Sequence, residues 1–270
     1  MNFPIDAFAG TAACYARYRS PYPAALVADL LARAGTTGRG RLLDLACGPG
    51  RVTLPLARAF ADVWANDLEP EMIAVGKREA ARCGVENIRW LAGRAEELAA
   101  PDGTFELVTI GAAFHRLDQP AVAAHAMRWL QPGGCLVTLG CYELMAGTET
   151  WQRIAMDVVR RWVARVRAER QPAPAPAGGP EHDERVLRAA GFAAVASYPF
   201  VERREWTVDA VVGNLYSMSF CSRRVLGELA QGFEAELRGA LLAHEPSGRF
   251  REEMRFGYTL GRKPPGGESS

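Results

Sequence analysis

Hydrophobic and polar positions follow two alternating rhythms along the first half of the chain. Leu42–Leu45, Asp62–Asp67, Ile88–Leu91, Phe105–Ile110 and Cys135–Leu139 are short, apolar-rich runs with the length of strands. Between them, apolar residues recur at helical spacing over Pro23–Arg33, Val52–Phe60, the segment opening at Glu69-Pro70, and Ala121–Leu130. Gly35 and Gly38 stop the first of these helices, and Pro132-Gly133-Gly134 stops the last. Pro55 belongs in the first turn of its helix and Pro70 near the start of the next, where a missing N–H costs little. Strands and helices in this alternation predict an α/β fold, a mostly parallel sheet with helices on both faces.

The second half is more helical. Residues 150–170 form a long Arg-rich helical pattern, and Pro172–Pro180 reads as an extended, mobile connection. A helix follows from Asp183 to Ala190, closed by Gly191. Val195–Trp206 reads as a strand in which Pro199 marks an edge or a bulge. Residues 208–243 are helical again, and Phe250–Leu260 is a last strand.

Composition narrows the function classes. A chain of 270 residues, 49% hydrophobic, can bury a large core in a single domain. The formal net charge of +1 argues against a nucleic-acid surface, and Arg160, Arg161, Arg165 and Arg167 read as one solvated helix face. Six cysteines without CxxC or Cys/His spacing predict reduced thiols, no metal and a cytoplasmic protein. No run reaches the roughly 18 apolar residues of a membrane span. The start lacks a basic region ahead of an apolar stretch, so no membrane association is expected.

The chemistry gathers around the first strand. Asp44 lies at its end, just before a turn containing Gly48 and Gly50. Glycines there remove the Cβ atoms that would block a ligand lying edge-on against the sheet. A dinucleotide or a nucleoside-like cofactor fits such a turn. The dinucleotide fingerprint needs a third glycine three residues after the second, and here that residue is Thr53. An acid beside the turn repels a pyrophosphate and attracts a cation. The ammonium and sulfonium of S-adenosylmethionine meet that demand. Asp67 ends the second strand, where a carboxylate accepts both hydroxyls of a ribose. Cys47 sits in the turn with no base beside it, and reads as packing.

Asp44-x-Ala46-x-Gly48-x-Gly50, Asp67-Leu68-Glu69-Pro70-Glu71-Met72, Gly93-Arg94-Ala95-Glu96, Phe105-Glu106-Leu107-Val108 and Leu130-Gln131-Pro132-Gly133-Gly134 follow one another between residues 40 and 140. Together they resemble the successive motifs of class I S-adenosylmethionine-dependent methyltransferases. Tyr15–Pro23 resembles the N-terminal cap of the small-molecule branch, and Ala113–Asp118 is similar to its trans-aconitate-type members. The resemblance implies a single domain over 1–270 with a Rossmann-like, mostly parallel seven-stranded sheet. Residues 1–35 would be a helical cap, 40–140 the cofactor-binding core and 205–245 a helical lid. Two positions depart from the pattern: Ala46 replaces the usual first glycine, and Arg94 stands where an Asp often faces the adenine amino group.

By that resemblance, the Ala46–Gly50 turn approaches the methionine tail, and Asp44 attracts its ammonium directly or through water. Asp67 takes the ribose, Leu68 and Met72 sandwich the adenine, and Ala95 bonds it through its backbone N–H with Glu96 supporting that turn. Gly111, ending the fourth strand, completes the floor. Arg19, with Tyr18 or Tyr15, holds the cofactor carboxylate.

His115 follows the fourth strand, at the edge where ligands bind in open α/β sheets. It is the candidate general base, against the plainer reading of a histidine that only packs. Trp206, Tyr216 and Phe220 are the candidate lining for a flat or lipophilic acceptor, against the plainer reading of lid packing. His182 and His244 look structural. No Asn/Asp-Pro-Pro-aromatic motif for base amines is present, which disfavours nucleic-acid methylation. The expected activity is methyl transfer to a small molecule, a metabolite of specialised metabolism, with O-methylation preferred because a histidine is at hand. The rival is a cyclase or decarboxylase that uses the sulfonium only electrostatically. The protein is expected to be a monomer or homodimer whose cap and lid close on ligand.

Overall fold

The computed structural model describes residues 6–142, 149–167 and 179–266. Five strands pair in parallel: β1 (Arg41–Leu45), β2 (Asp62–Asp67), β3 (Ile88–Ala92), β4 (Phe105–Gly111) and β5 (Leu130–Tyr142). β6 (Ala193–Thr207) and β7 (Arg249–Arg262) complete the sheet antiparallel, in the order β3-β2-β1-β4-β5-β7-β6. The order reverses between β1 and β4, which makes that crevice the switch point where open α/β sheets bind ligands.

Alternation along β1 sorts its side chains onto two faces. Leu42 packs with α2 (Ala24–Ala34) and α3 (Thr53–Ala57) through Leu26, Leu30 and Leu56. Leu43 and Leu45 pack with Val122 and Ala126 of α5 (Gln119–Trp129). A strand buried on both faces needs a near-continuous apolar run, which this one has. Asp44 is the exception, and it shares the face of Leu42.

Several expected boundaries move. The helix expected over Val52–Phe60 is only the five residues of α3. β5 begins at Leu130 and carries an irregular register beside Phe105 and Leu107, so Pro132-Gly133-Gly134 lies within the strand. β6 is an edge strand, yet its register shift falls between Ala193 and Ala196, where Ala194 has φ +47°, and not at Pro199. The helical stretch after it divides into α8 (Val208–Tyr216), α9 (Arg223–Leu226) and α10 (Ala230–His244). Ser222 ends the interruption by accepting from the Val225 N–H, a helix cap. The expected mobile connection lies, up to residue 178, outside the described residues. Among the described residues, no helix is long and apolar enough to cross a membrane.

β6 and β7 continue pairing to Thr207 and Arg249, past the last β5–β7 pair at Tyr142 and Arg255. This projecting hairpin carries the lid helices. Glu252 is buried inside it and accepts from Trp206 Nε1 at 2.6 Å and from Gln152 Nε2 at 2.7 Å. Gln152 belongs to α6 (Thr150–Arg167), so one carboxylate joins the hairpin to that helix. On α6, Arg160 pairs with Asp157, Arg161 with Glu236, and Arg165 lies over the Trp162 ring, so these three cations form a solvated face.

The segment expected to form the cap is tied to the segment expected to form the lid and to β7. The Tyr18 ring of α1 (Ala12–Tyr18) lies directly on Gly213 of α8. Arg19 Nε donates to Ser217 Oγ at 2.8 Å, Ser20 Oγ reaches Met254 Sδ at 3.3 Å, and Tyr258 donates to Asp29 at 2.5 Å.

Candidate active site

The glycine turn follows β1 directly. Ala46 has φ +50°, a left-handed conformation that costs a non-glycine residue roughly 1–2 kcal/mol. Ala112, just past the end of β4, has φ +51°. Both strained alanines flank the switch point, and strain of this kind clusters at functional sites. Gly48 (φ +56°) and Gly50 (φ +91°) complete the turn. Beneath it the Trp90 ring fits against Gly76 of α4 (Pro70–Arg82), where an added Cβ would stand 2.5 Å from the ring.

Asp67 binds the turn from β2. Its two oxygens accept from the Gly48 N–H at 2.7 Å and the Glu69 N–H at 2.9 Å. Burial raises its pKa, and these two bonds hold it back. Each oxygen keeps further lone-pair capacity for a hydroxyl.

Asp44 is fully buried (0% exposed), at the end of β1 where the turn begins. Its oxygens accept from Thr53 Oγ1 at 2.5 Å and Thr109 Oγ1 at 2.8 Å. Desolvation pushes its pKa up to about 7. Burial and the nearby Asp44 also push the Cys47 thiol well up, so it is no thiolate nucleophile.

Around the rim, Leu68 and Gly111 are partly exposed. Met72 is buried with Ala12 of α1 and Val75 of α4, so it packs between those two helices. Ala95 opens a 3-10 turn at Ala95–Glu97, and Glu96 accepts from the Asp118 N–H at 3.2 Å, tying that turn to the loop after β4. Arg94 pairs with Glu96 and Glu97 at 3.5 Å. The Tyr15 ring lies 3.9 Å from where a Gly48 Cβ would stand, and Arg19 and Arg51 sit 5.1 and 5.9 Å from its centroid.

His115 stands in a 3-10 turn at Phe114–Arg116, and its Nε2 accepts from Arg116 Nε at 3.3 Å. Partial burial and the adjacent guanidinium push its pKa down to about 4. That lies below the pH 6–7 range in which a general base is expected to titrate. The ring is neutral at pH 7 and a weak base. His115→Ala is expected to cost far less than the roughly 10²–10⁴-fold that general-base catalysis supplies, with no change in the rate profile between pH 6 and 7. A loss of that size, with a titration vanishing near pH 6.5, would reinstate the base.

The acceptor lining is corrected more sharply. Trp206 is fully buried, bonded to Glu252. Tyr216 is buried against Phe233 and donates to the Ala230 carbonyl and Glu234. Trp206 finds its partner on β7 and Tyr216 finds its partners on α10, so both side chains are packed core. Phe220 alone of the three keeps open surface. Thr53 and Thr109 escaped the sequence reading, although Thr53 was legible as a hydroxyl one turn past the acid.

These features gather around the β1–β4 switch point, and known proteins carry the same core. The methyltransferase domain family matches residues 42–134. The core is a class I S-adenosylmethionine-dependent methyltransferase domain. A curated relative of the methyltransferase core is the ubiquinone/menaquinone biosynthesis C-methyltransferase UbiE of Desulfotalea psychrophila. It is 34% identical over 113 residues, 41% of this chain and 45% of the relative. The chain thus spans under half the length of the curated relatives it matches. Among solved structures, the YcgJ protein of Bacillus subtilis superposes over 90% of this chain and 99% of its own, with a TM-score of 0.56 and 17% identity. The cyclase SpnF superposes over 92% of this chain and 85% of its own, with a TM-score of 0.53 and 20% identity. Likeness at these identities is one of fold.

Proposed function

We propose that this protein transfers the methyl group of S-adenosylmethionine to a small-molecule acceptor whose nucleophile is an enol or phenol oxygen, or the carbon conjugated to it. The observation that carries this reading is Asp67, its carboxylate spanning the Gly48 and Glu69 amides at the switch point. In the transfer, a lone pair or π-pair of the acceptor attacks the methyl carbon. The carbon–sulfur bond breaks, and its electrons leave on sulfur as a neutral thioether. The acceptor proton passes to solvent. Holding the two reactants in line supplies much of the rate, so no strong base is required. Oxygen carries no advantage over carbon on this reading, because desolvation and the adjacent guanidinium lower the His115 pKa to about 4 and leave it a weak base. The relative named as a C-methyltransferase favours carbon.

Methyl-labelled S-adenosylmethionine with a panel of hydroquinones and phenols tests this. S-adenosylhomocysteine and a labelled acceptor are expected in equal amounts, with carbon or oxygen attachment read by NMR. A cyclised or decarboxylated product without S-adenosylhomocysteine would establish the non-methylating alternative. Calorimetry is expected to detect S-adenosylhomocysteine binding and no NAD binding.

A further inference from the structure

Asp44 is a carboxylate with no access to solvent, lying under a turn that must receive a cation. Two hydroxyls from two different elements converge on it: Thr53 from the start of α3, and Thr109 from β4. Thr53 and Thr109 are themselves fully buried, so neither hydroxyl is replaceable by water. The Thr53 backbone N–H also donates to the same carboxylate. The titratable groups facing Asp44 are Asp67, at the end of β2, and the Cys47 thiol in the turn. Both oppose its ionisation or leave it uncompensated, while α3 and β4 face it with two hydroxyls and one backbone N–H, all uncharged. A buried carboxylate with an acid beside it takes up a proton unless donors hold its charge.

We propose that Thr53 and Thr109 are positioning residues that keep Asp44 ionised beneath the glycine turn, and that cofactor affinity follows the charge they maintain. This rests on the reading of the turn as the seat of the S-adenosylmethionine ammonium. Hydrogen bonds to a charged acceptor outweigh those to a neutral one, so each hydroxyl lowers the pH at which Asp44 loses its proton. Desolvation works the other way and leaves that pH near neutrality, about 7. The sign is then set. Above this pH the carboxylate is charged and its field favours a cation in the turn. As pH falls through it, Asp44 is protonated and the affinity falls. Removing one hydroxyl moves the fall to higher pH.

The test is calorimetric titration with S-adenosylhomocysteine from pH 5.5 to 9, on the intact chain and on Thr53→Val, Thr53→Ser, Thr109→Val and Thr109→Ser. The ammonium of the ligand titrates identically against every variant, so differences between variants belong to the protein. Each Val variant is expected to move the midpoint of the affinity profile upward by about one to two pH units. Each Ser variant, which keeps the hydroxyl, is expected to restore most of the shift. In parallel, the carboxyl carbon of Asp44, assigned by its loss in Asp44→Asn, is followed by NMR without ligand. Its midpoint is expected to rise in the Val variants. Profiles that coincide for wild type and both Val variants, or Ser variants that behave like Val, would overturn the proposal. If S-adenosylhomocysteine fails to bind at any pH, the reading of the site falls, and the ligand-free NMR titration still decides whether the hydroxyls hold the charge. Two independent positions keep the test decisive should one Val variant fail to fold.

Discussion

Asp67→Ala is expected to weaken S-adenosylmethionine binding by roughly a hundredfold or more. Two ribose hydroxyls donating to a carboxylate contribute about 1.5–3 kcal/mol each, and two such bonds reach that factor at the lower end. The carboxylate already accepts from the Gly48 and Glu69 amides, so it is oriented before ligand arrives. Its removal strips both the ribose partner and the brace of the turn. The fold is expected to survive, because burial disfavours this charge and the alanine relieves that cost. Calorimetry paired with a thermal melt checks both halves. A folded variant that binds within threefold of wild type would sink the assignment.

Gly213→Ala is expected to detach the cap from the lid. A Cβ at this position would stand 2.2–2.4 Å from three ring carbons of Tyr18, with the base of the ring among them. The ring cannot yield by a small rotation, so α1 must move back. Overpacking of this kind costs about 1–3 kcal/mol. Because the cap covers Met72 and places Tyr15 on the glycine turn, its displacement is expected to lower affinity for S-adenosylhomocysteine several-fold. Amide exchange in residues 12–18 should accelerate while β1, β2 and β4 stay protected. Tyr18→Ala made in the Gly213→Ala background should cost much less than Tyr18→Ala alone, a coupling expected of residues in contact. Unchanged exchange over residues 12–18 would mean the cap is held by its other ties, and the contact with Gly213 is incidental.

The core was legible in the chain because each of its signals is local. Leu42–Leu45 states a strand by its apolar run, Gly48 and Gly50 state a turn by their conformational freedom, and Asp67 follows from the next strand's end. The lid was legible only as helical. Nothing in the spacing of Trp206 or Tyr216 says that Glu252 and Glu234 wait for their polar atoms, because those partners lie in elements far along the chain. An aromatic side chain with a polar tip looks the same in a pocket lining and in a core until its partner is known. The surroundings of His115 were equally hidden. Its place after β4 was legible, but the desolvation of its ring, and the way a 3-10 turn sets the Arg116 guanidinium against it, are not written in the spacing of residues.

The ties between the cap and the C-terminal segment also set an order of events at the ribosome. Arg19 bonds Ser217, Ser20 reaches Met254, and Asp29 accepts from Tyr258. The first of these pairs is separated by 198 positions. At roughly 5–20 residues per second, the beginning of the nascent chain waits about ten to forty seconds for its partners to be made. During that interval β1 to β4 can assemble on local and medium-range contacts, while α1 has only the Met72 and Val75 surface of α4 to dock on and not yet that of α8. The half-made protein therefore holds its cap on one side alone, and a chain halted before Ser217 never gains the ties to Ser217, Met254 and Tyr258.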